Sequence, residues 1–211
     1  HLGRTILRIS GTDRETFLQG LVTNDVRGLE TVTYAALLTP QGKFIADFFL
    51  VPEAEAILLD VSSDLAEGFA KKLNMYKLRS DVHIEETEKC TIRGIETPVP
   101  DGAFEDPRHP ALGWRVYSET PGDPPTIDWE HIRVTHCIPE FGHELSPDSY
   151  ILEAGFERLN GVDFRKGCYV GQEVTARMKH KTELRKGFAR VRLSAPVAPG
   201  TAITADGRTV G

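Results

Sequence analysis

The chain has 211 residues, and its 25 Lys and Arg against 31 Asp and Glu give a formal net charge of −6. An apolar fraction of 40% and a charged fraction of 27% are typical of folded domains and exclude collagen-like, low-complexity and largely disordered chains. We expect no signal peptide and no membrane span, because no stretch approaches the roughly 20 apolar residues that cross a bilayer. Three cysteines without a CxxC pair argue against a disulfide framework or a zinc ribbon and favour a reducing compartment.

The first predicted elements are a strand, a helix and a hairpin. Residues 5–10 alternate in hydropathy as a strand does. The sequence Thr12-Asp13-Arg14-Glu15 fits a capping box, in which the first and last side chains cover free N–H groups of a helix. Apolar residues at helical spacing follow over 17–22. Apolar runs on both sides of Thr39-Pro40-Gln41-Gly42 then predict a β-hairpin.

The middle of the chain continues this mixture of strands and single helices. The predicted elements are a buried strand at 57–61, a helix at 64–76 and two strands at 82–84 and 90–95. Interleaving of this kind predicts an α+β fold, ferredoxin-like in this part of the chain. Residues 98–125 are rich in proline and predict a loop interrupted by one strand at 112–117.

The last part of the chain changes character. Residues 127–138 are predicted to be helical, ending at Pro139, and residues 141–150 to form a loop. From residue 184 onward, a strand-like run with Phe188, Val191 and Leu193 and a turn signal at Asp206-Gly207 predict the beginning of a small all-β unit.

The segment 160–173 carries the clearest chemical signal. It contains the thiol of Cys168 between two glycines, with Arg165 and Lys166 close by in sequence. Neighbouring cations favour thiolate over thiol, which would make Cys168 more nucleophilic than an ordinary cysteine. The glycines allow a backbone to approach a ligand. The alternative is a small buried cysteine in a tight turn.

Two motifs resemble those of a known family. Lys-Gly-Cys-Tyr-Val-Gly-Gln-Glu at 166–173, continued by Thr175-Ala176-Arg177, resembles the K-G-C-Y-[IVT]-G-Q-E motif of the YgfZ family of folate-binding proteins. Residues 17–25 resemble that family's F-L-Q-G-x-x-T-N/A-D segment. The family is related to the aminomethyltransferase of the glycine cleavage system. Its branch that includes the mitochondrial iron–sulfur assembly factor looks closest.

The resemblance implies a three-part α+β architecture of the aminomethyltransferase and YgfZ type. Residues 1–47 together with 127–180 would form a split, folate-binding domain. Residues 48–126 would form an inserted ferredoxin-like domain. Residues 181–211 would be the start of a C-terminal β-barrel, incomplete at Gly211.

The implied function is that of a tetrahydrofolate-binding accessory protein. It would help to assemble or repair iron–sulfur clusters in client enzymes such as tRNA-thiolating radical enzymes, and it would not be a classical enzyme. Cys168 would contact iron or a cluster transiently, or exchange electrons, because a stable cluster usually takes four cysteines. The alternatives are a tetrahydrofolate-dependent aminomethyltransferase or other one-carbon transferase, and a docking module for nucleic acid or protein.

The resemblance also nominates folate-site residues. Glu153, in Leu-Glu-Ala-Gly, matches the residue by which the aminomethyltransferases recognise the pteridine ring. Asp47 matches one half of their acidic pair, and Ala46 replaces the other half, which weakens the transferase hypothesis. The other predicted cavity residues are Lys166, Tyr169, Gln172, Glu173 and Arg177. Packing is the alternative for Tyr169, and an exposed position is the alternative for both acids.

Basic residues are concentrated in one block. From Arg165 to Arg192 there are nine Lys or Arg against two acids, a local charge of +7, which leaves −13 for the rest of the chain. The later part of this block contains Arg177, Lys179, Lys181, Arg185 and Lys186. Such a block suits a polyglutamylated folate, an acidic iron–sulfur partner or weak contact with tRNA. A solvated face is the alternative, and the expected compartment is the bacterial cytoplasm or, in a eukaryote, the mitochondrial matrix.

One further cluster contains metal-ligand residue types, namely His131, His136, Cys137 and His143. Its spacing fits neither HExxH nor CxxC, so no metal site is predicted. Cys90 lies in a strand-like run and is predicted to be a core residue.

Overall fold

The computed structural model describes residues 3–181, 183–184 and 186–211. Its centre is an antiparallel five-stranded sheet in the order β2-β3-β4-β1-β5. The strands are β1 Arg4–Ser10, β2 Thr33–Leu38, β3 Phe44–Glu53, β4 Ala56–Ser62 and β5 His83–Glu86. Helix α1, Arg14–Gln19, follows β1, and helix α2, Ser63–Lys77, connects β4 to β5. The predicted mixture of α and β structure is confirmed.

The remaining elements are shorter. A second sheet has the order β6-β8-β7, with β6 at Cys90–Gly94, β7 at Phe104–Glu105 and β8 at Trp114–Ser118. Helix α3 is Trp129–Thr135 and helix α4 is Gln172–Lys181. Strands β9, Thr204–Ala205, and β10, Arg208–Thr209, form a hairpin around the predicted Asp206-Gly207 turn.

Both faces of the central sheet are covered. On the first face, α1 and α2 pack Leu18 and Phe69 against alternate strand residues such as Phe48. On the second face, Tyr34 and Phe49 pack with side chains from the later half of the chain, from Leu112 to Tyr169. Strands buried on both faces are apolar nearly throughout, which explains why β2, β3 and β4 are visible in the sequence as continuous apolar runs.

The predicted capping box at the start of α1 is wrong. The N-cap residue is Asp13, and no side chain caps the helix. The Thr12 hydroxyl instead donates to the carboxylate of Asp81 at 2.8 Å, and the Asp81 backbone N–H donates to the Asp13 carboxylate at 2.7 Å. The segment that precedes β5 therefore takes up the polar groups that were expected to cap the helix.

The predicted domain boundary at residues 47 and 48 falls within β3. Strands from both sides of this boundary form one sheet, because β1 pairs with β4 and with β5. The wider division into a split domain, an insertion and a third unit stays a prediction.

The strand predicted around residues 188–193 is wrong. Within the described part of this region, residues 186–203, no strand is formed, and Phe188, Val191 and Leu193 are 43–52% exposed. A single strand needs a hydrogen-bonded neighbour to be stable, and the described residues place none beside this run.

Candidate functional site

The loop that carries Cys168 is held in place by a buried lysine. Lys166 is 4% exposed, and its Nζ donates to the backbone carbonyls of Gln19 at 2.9 Å, Val22 at 2.5 Å and Asn24 at 2.9 Å. These carbonyls belong to the last residue of α1 and to the turn that follows it, in the segment 17–25. The two motifs that carried the family resemblance therefore contact each other directly.

A second contact reinforces this link, since the Thr23 hydroxyl donates to the carbonyl of Gly161 at 2.7 Å. Burial lowers the pKa of Lys166 to about 8, while the nearby carboxylates of Asp25 and Asp163 oppose that shift. The ammonium thus remains largely charged at neutral pH, as three carbonyl acceptors require. Its contacts are those of a structural anchor for the loop.

Cys168 lies between two inward-pointing anchors. Lys166 precedes it, and Tyr169, which is 8% exposed, packs into the apolar cluster on the second face of the sheet. Burial raises the pKa of the Tyr169 phenol to about 12, so its hydroxyl stays protonated. Cys168 itself is exposed, whereas Cys90 and Cys137 are half-buried. The loop therefore presents one thiol to solvent on a fixed backbone.

Two glycines bring this loop against the hairpin turn between β2 and β3. Gly171 has φ +83°, and a Cβ there would lie 2.6 Å from the carbonyl oxygen of Thr39. Gly42 has φ +75°, and a Cβ there would lie 2.9 Å from the Cβ of Val174. Only glycine combines this backbone conformation with so close an approach. The motif is thus fixed at its Gly171 end as well as at Lys166.

Helix α4 begins directly after this contact and was not predicted. Its first turn contains Glu173 and its last turn contains Lys179, His180 and Lys181, which suits the helix dipole. Glu173 and Arg177 are exposed and pair with each other at 3.1 Å, while Gln172 is half-buried. The glycine before the helix and the basic residues in its last turn were the available sequence signals.

The two predicted folate-site carboxylates lie in different surroundings. Asp47 is 5% exposed and accepts a hydrogen bond from the hydroxyl of Tyr34 at 2.9 Å. Tyr34 is fully buried, and both burial and the Asp47 carboxylate raise its pKa. Glu153 is half-buried and lines a cavity of about 250 Å³ with Tyr150 and Lys186. Asp47 does not line that cavity.

These positions bear on whether tetrahydrofolate fits the described residues. The resemblance implies that both carboxylates contact the same folate molecule. Here Asp47 is enclosed under Tyr34, Glu153 lines a separate cavity and Cys168 lies on a surface loop. The described residues do not bring both carboxylates into one cavity, so tetrahydrofolate binding stays a prediction from the resemblance.

A buried network of arginines and aspartates was missed by sequence reasoning. Asp60, fully buried in β4, pairs with Arg4 at 2.6 Å and with Arg115 at 2.8 Å. Asp106 pairs with Arg108 at 2.8 Å and with Arg115 at 2.6 Å. Despite burial, these guanidinium groups hold the pKa of both carboxyls below the usual range. The only sequence signal was a lone aspartate in the apolar run of β4.

The histidine and cysteine cluster of the sequence is dispersed. The ring of His136 packs on that of His109, with centroids 4.1 Å apart. Within residues 3–181, 183–184 and 186–211, no group of three or more His, Cys, Asp and Glu side chains is arranged to hold a metal ion. Over the same residues, every helix is too short or too polar to traverse a bilayer.

Comparison with known proteins places this chain in a family. No protein-family model matches the chain. The human protein named mitochondrial iron–sulfur cluster assembly factor IBA57 is 30% identical over an alignment of 255 positions, which covers 99% of this chain and 71% of the relative. The chain belongs to the IBA57 family. Mouse IBA57 is 31% identical, over 99% of this chain and 72% of its own length.

A fungal relative and one solved structure extend the comparison. The IBA57 homologue of Neurospora crassa is 32% identical over 87% of this chain. The alignment covers half of the length of that homologue. Aminomethyltransferase T of the glycine cleavage system from Bartonella henselae superposes with a TM-score of 0.40 at 17% identity, over 43% of this chain and 26% of that one. IBA57 membership confirms the predicted branch of iron–sulfur assembly factors, and the wider grouping of folate-binding proteins stays a prediction.

Proposed function

We propose that this chain is an accessory factor in iron–sulfur cluster assembly, and that Cys168 supplies one thiolate to an iron ion or cluster held jointly with a partner protein. The observation that carries the proposal is the exposed thiol of Cys168, fixed between two buried anchors in a chain of the IBA57 family. Clusters are usually held by four cysteine thiolates. Since Cys168 is the one exposed cysteine of the three, the partner must bring the other ligands.

Exposed basic side chains belong to the same part of the chain as Cys168. The Arg165 side chain is 95% exposed and lies three positions before Cys168 in the chain, and Arg177 is exposed on α4. The thiolate is the form of a cysteine that binds metal. A rigid loop also limits the conformational entropy lost when a partner binds.

The basic block supports a partner with an acidic face. Beyond α4, the charged side chains of Lys186, Arg190 and Arg192 are exposed, and Arg185 lies outside the described residues. A surface of one sign steers a partner of the opposite sign and loses strength as salt is added. Acidic iron–sulfur proteins therefore fit this surface. Contact with tRNA stays a prediction. The logarithm of its binding constant would fall steeply and linearly with the logarithm of salt concentration.

Cluster uptake should depend on Cys168. We expect anaerobic incubation with ferric iron, sulfide and glutathione, whose thiol stands in for those of the partner, to give a cluster that co-elutes with the wild type. The cluster content of the Cys168→Ser variant should be lower than that of the wild type by a factor of about ten or more, because the serine hydroxyl is a poor ligand at neutral pH. The measurement is the visible absorption and iron content of the eluted protein.

The Cys90→Ser variant is the matched control, since Cys90 is half-buried and its thiol is hydrogen-bonded to the carbonyl of Ser118. It should take up cluster like the wild type. Equal cluster content in Cys168→Ser and the wild type, with both melting at the same temperature, would show that the motif thiol is not a ligand.

Tetrahydrofolate binding is a separable prediction, and no step proposed above depends on it. The resemblance implies that an anaerobic calorimetric titration shows saturable binding that is weakened by Asp47→Asn and by Glu153→Ala and unchanged by exposed Glu157→Ala, whereas the separate positions of the two carboxylates argue against it. Absence of binding to the wild type would remove folate from the function and leave the thiolate role intact. The one-carbon transferase alternative requires both folate binding and the turnover of an aminomethyl donor.

The mitochondrial names of the relatives agree with the mitochondrial alternative for the compartment, which stays a prediction.

A further inference from the structure

An arginine-rich cavity lies on the second face of the central sheet, away from the motif loop. Its volume is about 290 Å³, the lower end of the range for small-molecule sites. Five arginines line it, and two aromatic rings form apolar walls; these residues are Arg4, Arg93, Arg108, Arg115, Arg133, Phe49 and Trp129. The guanidinium of Arg115 lies 3.5 Å from the ring centroid of Phe49. The lining thus combines positive charge with flat apolar surface.

Three of the five arginines are paired in the interior of the cavity. As described above, Arg4, Arg108 and Arg115 share the carboxylates of Asp60 and Asp106. Together with Arg93, these interior groups give four guanidinium groups against two carboxylates, a net charge of +2, and the lining residues Arg133, Glu130 and Glu140 add −1 at the mouth.

Arg93 is the unpaired member. Among the described residues its side chain has no ion-pair partner, and its buried Nε has no hydrogen-bond partner. Its guanidinium stacks on Trp129, 3.9 Å from the ring centroid. Burial and the charges of Arg108 and Arg115 lower its pKa to about 9, so the group is still charged at neutral pH. A charge that is partly removed from water and has no counter-ion is costly.

The carboxylates at the mouth of the cavity do not serve Arg93. Glu130 and Glu140 line the mouth, and together with Glu144 they pair with Arg133, at 2.5, 3.5 and 2.8 Å respectively. Glu130 and Glu140 are more than half exposed, so solvent screens their charge. The positive potential therefore lies in the interior, and the acidic rim disfavours large polyanions.

We propose that this cavity binds the oxyanion group of a small molecule, a carboxylate or a phosphate, with Arg93 as its principal partner. A guanidinium binds either group through two parallel N–H···O bonds, and bound oxygen atoms would supply the missing partner of Arg93. Phe49 and Trp129 would contact the apolar part of the ligand. This site is independent of the thiolate role proposed for Cys168.

Anion titrations test the proposal directly. In a Trp114→Phe background, Trp129 becomes the only tryptophan, so its fluorescence reports on the cavity. Inorganic phosphate and benzoate are each titrated at constant ionic strength against sodium chloride. We expect a saturable change with at least one of them, and at least about tenfold weaker binding after Arg93→Met. A response to phosphate alone identifies a phosphate ligand, and a response to benzoate alone identifies an aromatic carboxylate.

Thermal unfolding separates this role from a structural one. Without added anion, Arg93→Met should melt at the same temperature as the wild type or higher, because the substitution removes a repelled, unpaired charge. The bound anion should raise the melting temperature of the wild type and not that of the variant. Arg79→Met, at an exposed arginine outside the cavity, should behave as the wild type.

Three results would overturn the proposal. The first is a fluorescence response no larger than that to chloride, which would mean a cavity filled by water. The second is equal anion binding by wild type and Arg93→Met. The third is unfolding or a clear loss of stability in Arg93→Met without anion, which would mean that Arg93 is already compensated within the fold.

Discussion

Replacing Arg115 by methionine is expected to lower the free energy of unfolding by about 3 to 5 kcal/mol, the usual cost of removing one partner of a buried ion pair. Arg115 is 2% exposed and joins Asp60 to Asp106. Methionine keeps most of the side-chain volume, so the loss reports on charge and hydrogen bonding. Urea unfolding at neutral pH measures it.

The pH dependence of this loss is a further check. The arginines hold the pKa values of Asp60 and Asp106 below those of the unfolded chain. Their contribution to stability is therefore present above about pH 4 and declines as the pH falls through the folded-state values. The gap between wild type and Arg115→Met should shrink under acidic conditions. Arg79→Met, at an exposed arginine, should unfold like the wild type at every pH. A gap that stays constant with pH would contradict the ion-pair explanation.

Replacing Lys166 by methionine should lower the free energy of unfolding by about 2 to 4 kcal/mol, because three carbonyl oxygens lose a charged donor in a buried site. The loop should also lose its fixed geometry, and cluster uptake through Cys168 should fall with it. Urea unfolding and the cluster assay measure the two effects. The matched control is Lys71→Met, whose side chain is 73% exposed and pairs only with Glu67.

The Lys166→Arg variant separates charge from geometry. The planar guanidinium group of arginine keeps the positive charge but cannot bring a single nitrogen to three converging carbonyls. We expect it to be less stable than the wild type. Wild-type stability in this variant would show that charge alone holds the loop.

Local patterns were sufficient for much of the fold. The predicted helix at 64–76 matches α2, because Phe69 and Leu73 recur at helical spacing on its buried face. The apolar runs around the Pro-Gly turn match β2 and β3 for a similar reason. Helix α4 was missed because only Thr175 is buried along it, so no apolar stripe marks it in the sequence.

Long-range polar pairs could not be predicted in this way. Arg4 and Arg115 meet Asp60 across 56 and 55 positions of sequence, and no local pattern encodes such a pairing. The same holds for Asp81, whose carboxylate accepts the hydrogen bond from the Thr12 hydroxyl that was expected to cap α1. At the site, the motif pointed to Cys168, but the inward direction of Lys166 depends on carbonyls about 140 positions away.

The link between the two motifs has an unequal tolerance to mutation. Lys166 contributes a side chain, whereas Gln19, Val22 and Asn24 contribute backbone carbonyls, which every amino acid possesses. This contact does not depend on the identity of the side chains at those three positions, whereas no other residue type can replace the lysine as its donor. Substitution of Lys166 should therefore break this link directly, whereas substitutions at Gln19, Val22 and Asn24 should act through the separate contacts of their side chains, such as the hydrogen bond from the Asn24 amide to the carbonyl of Tyr34.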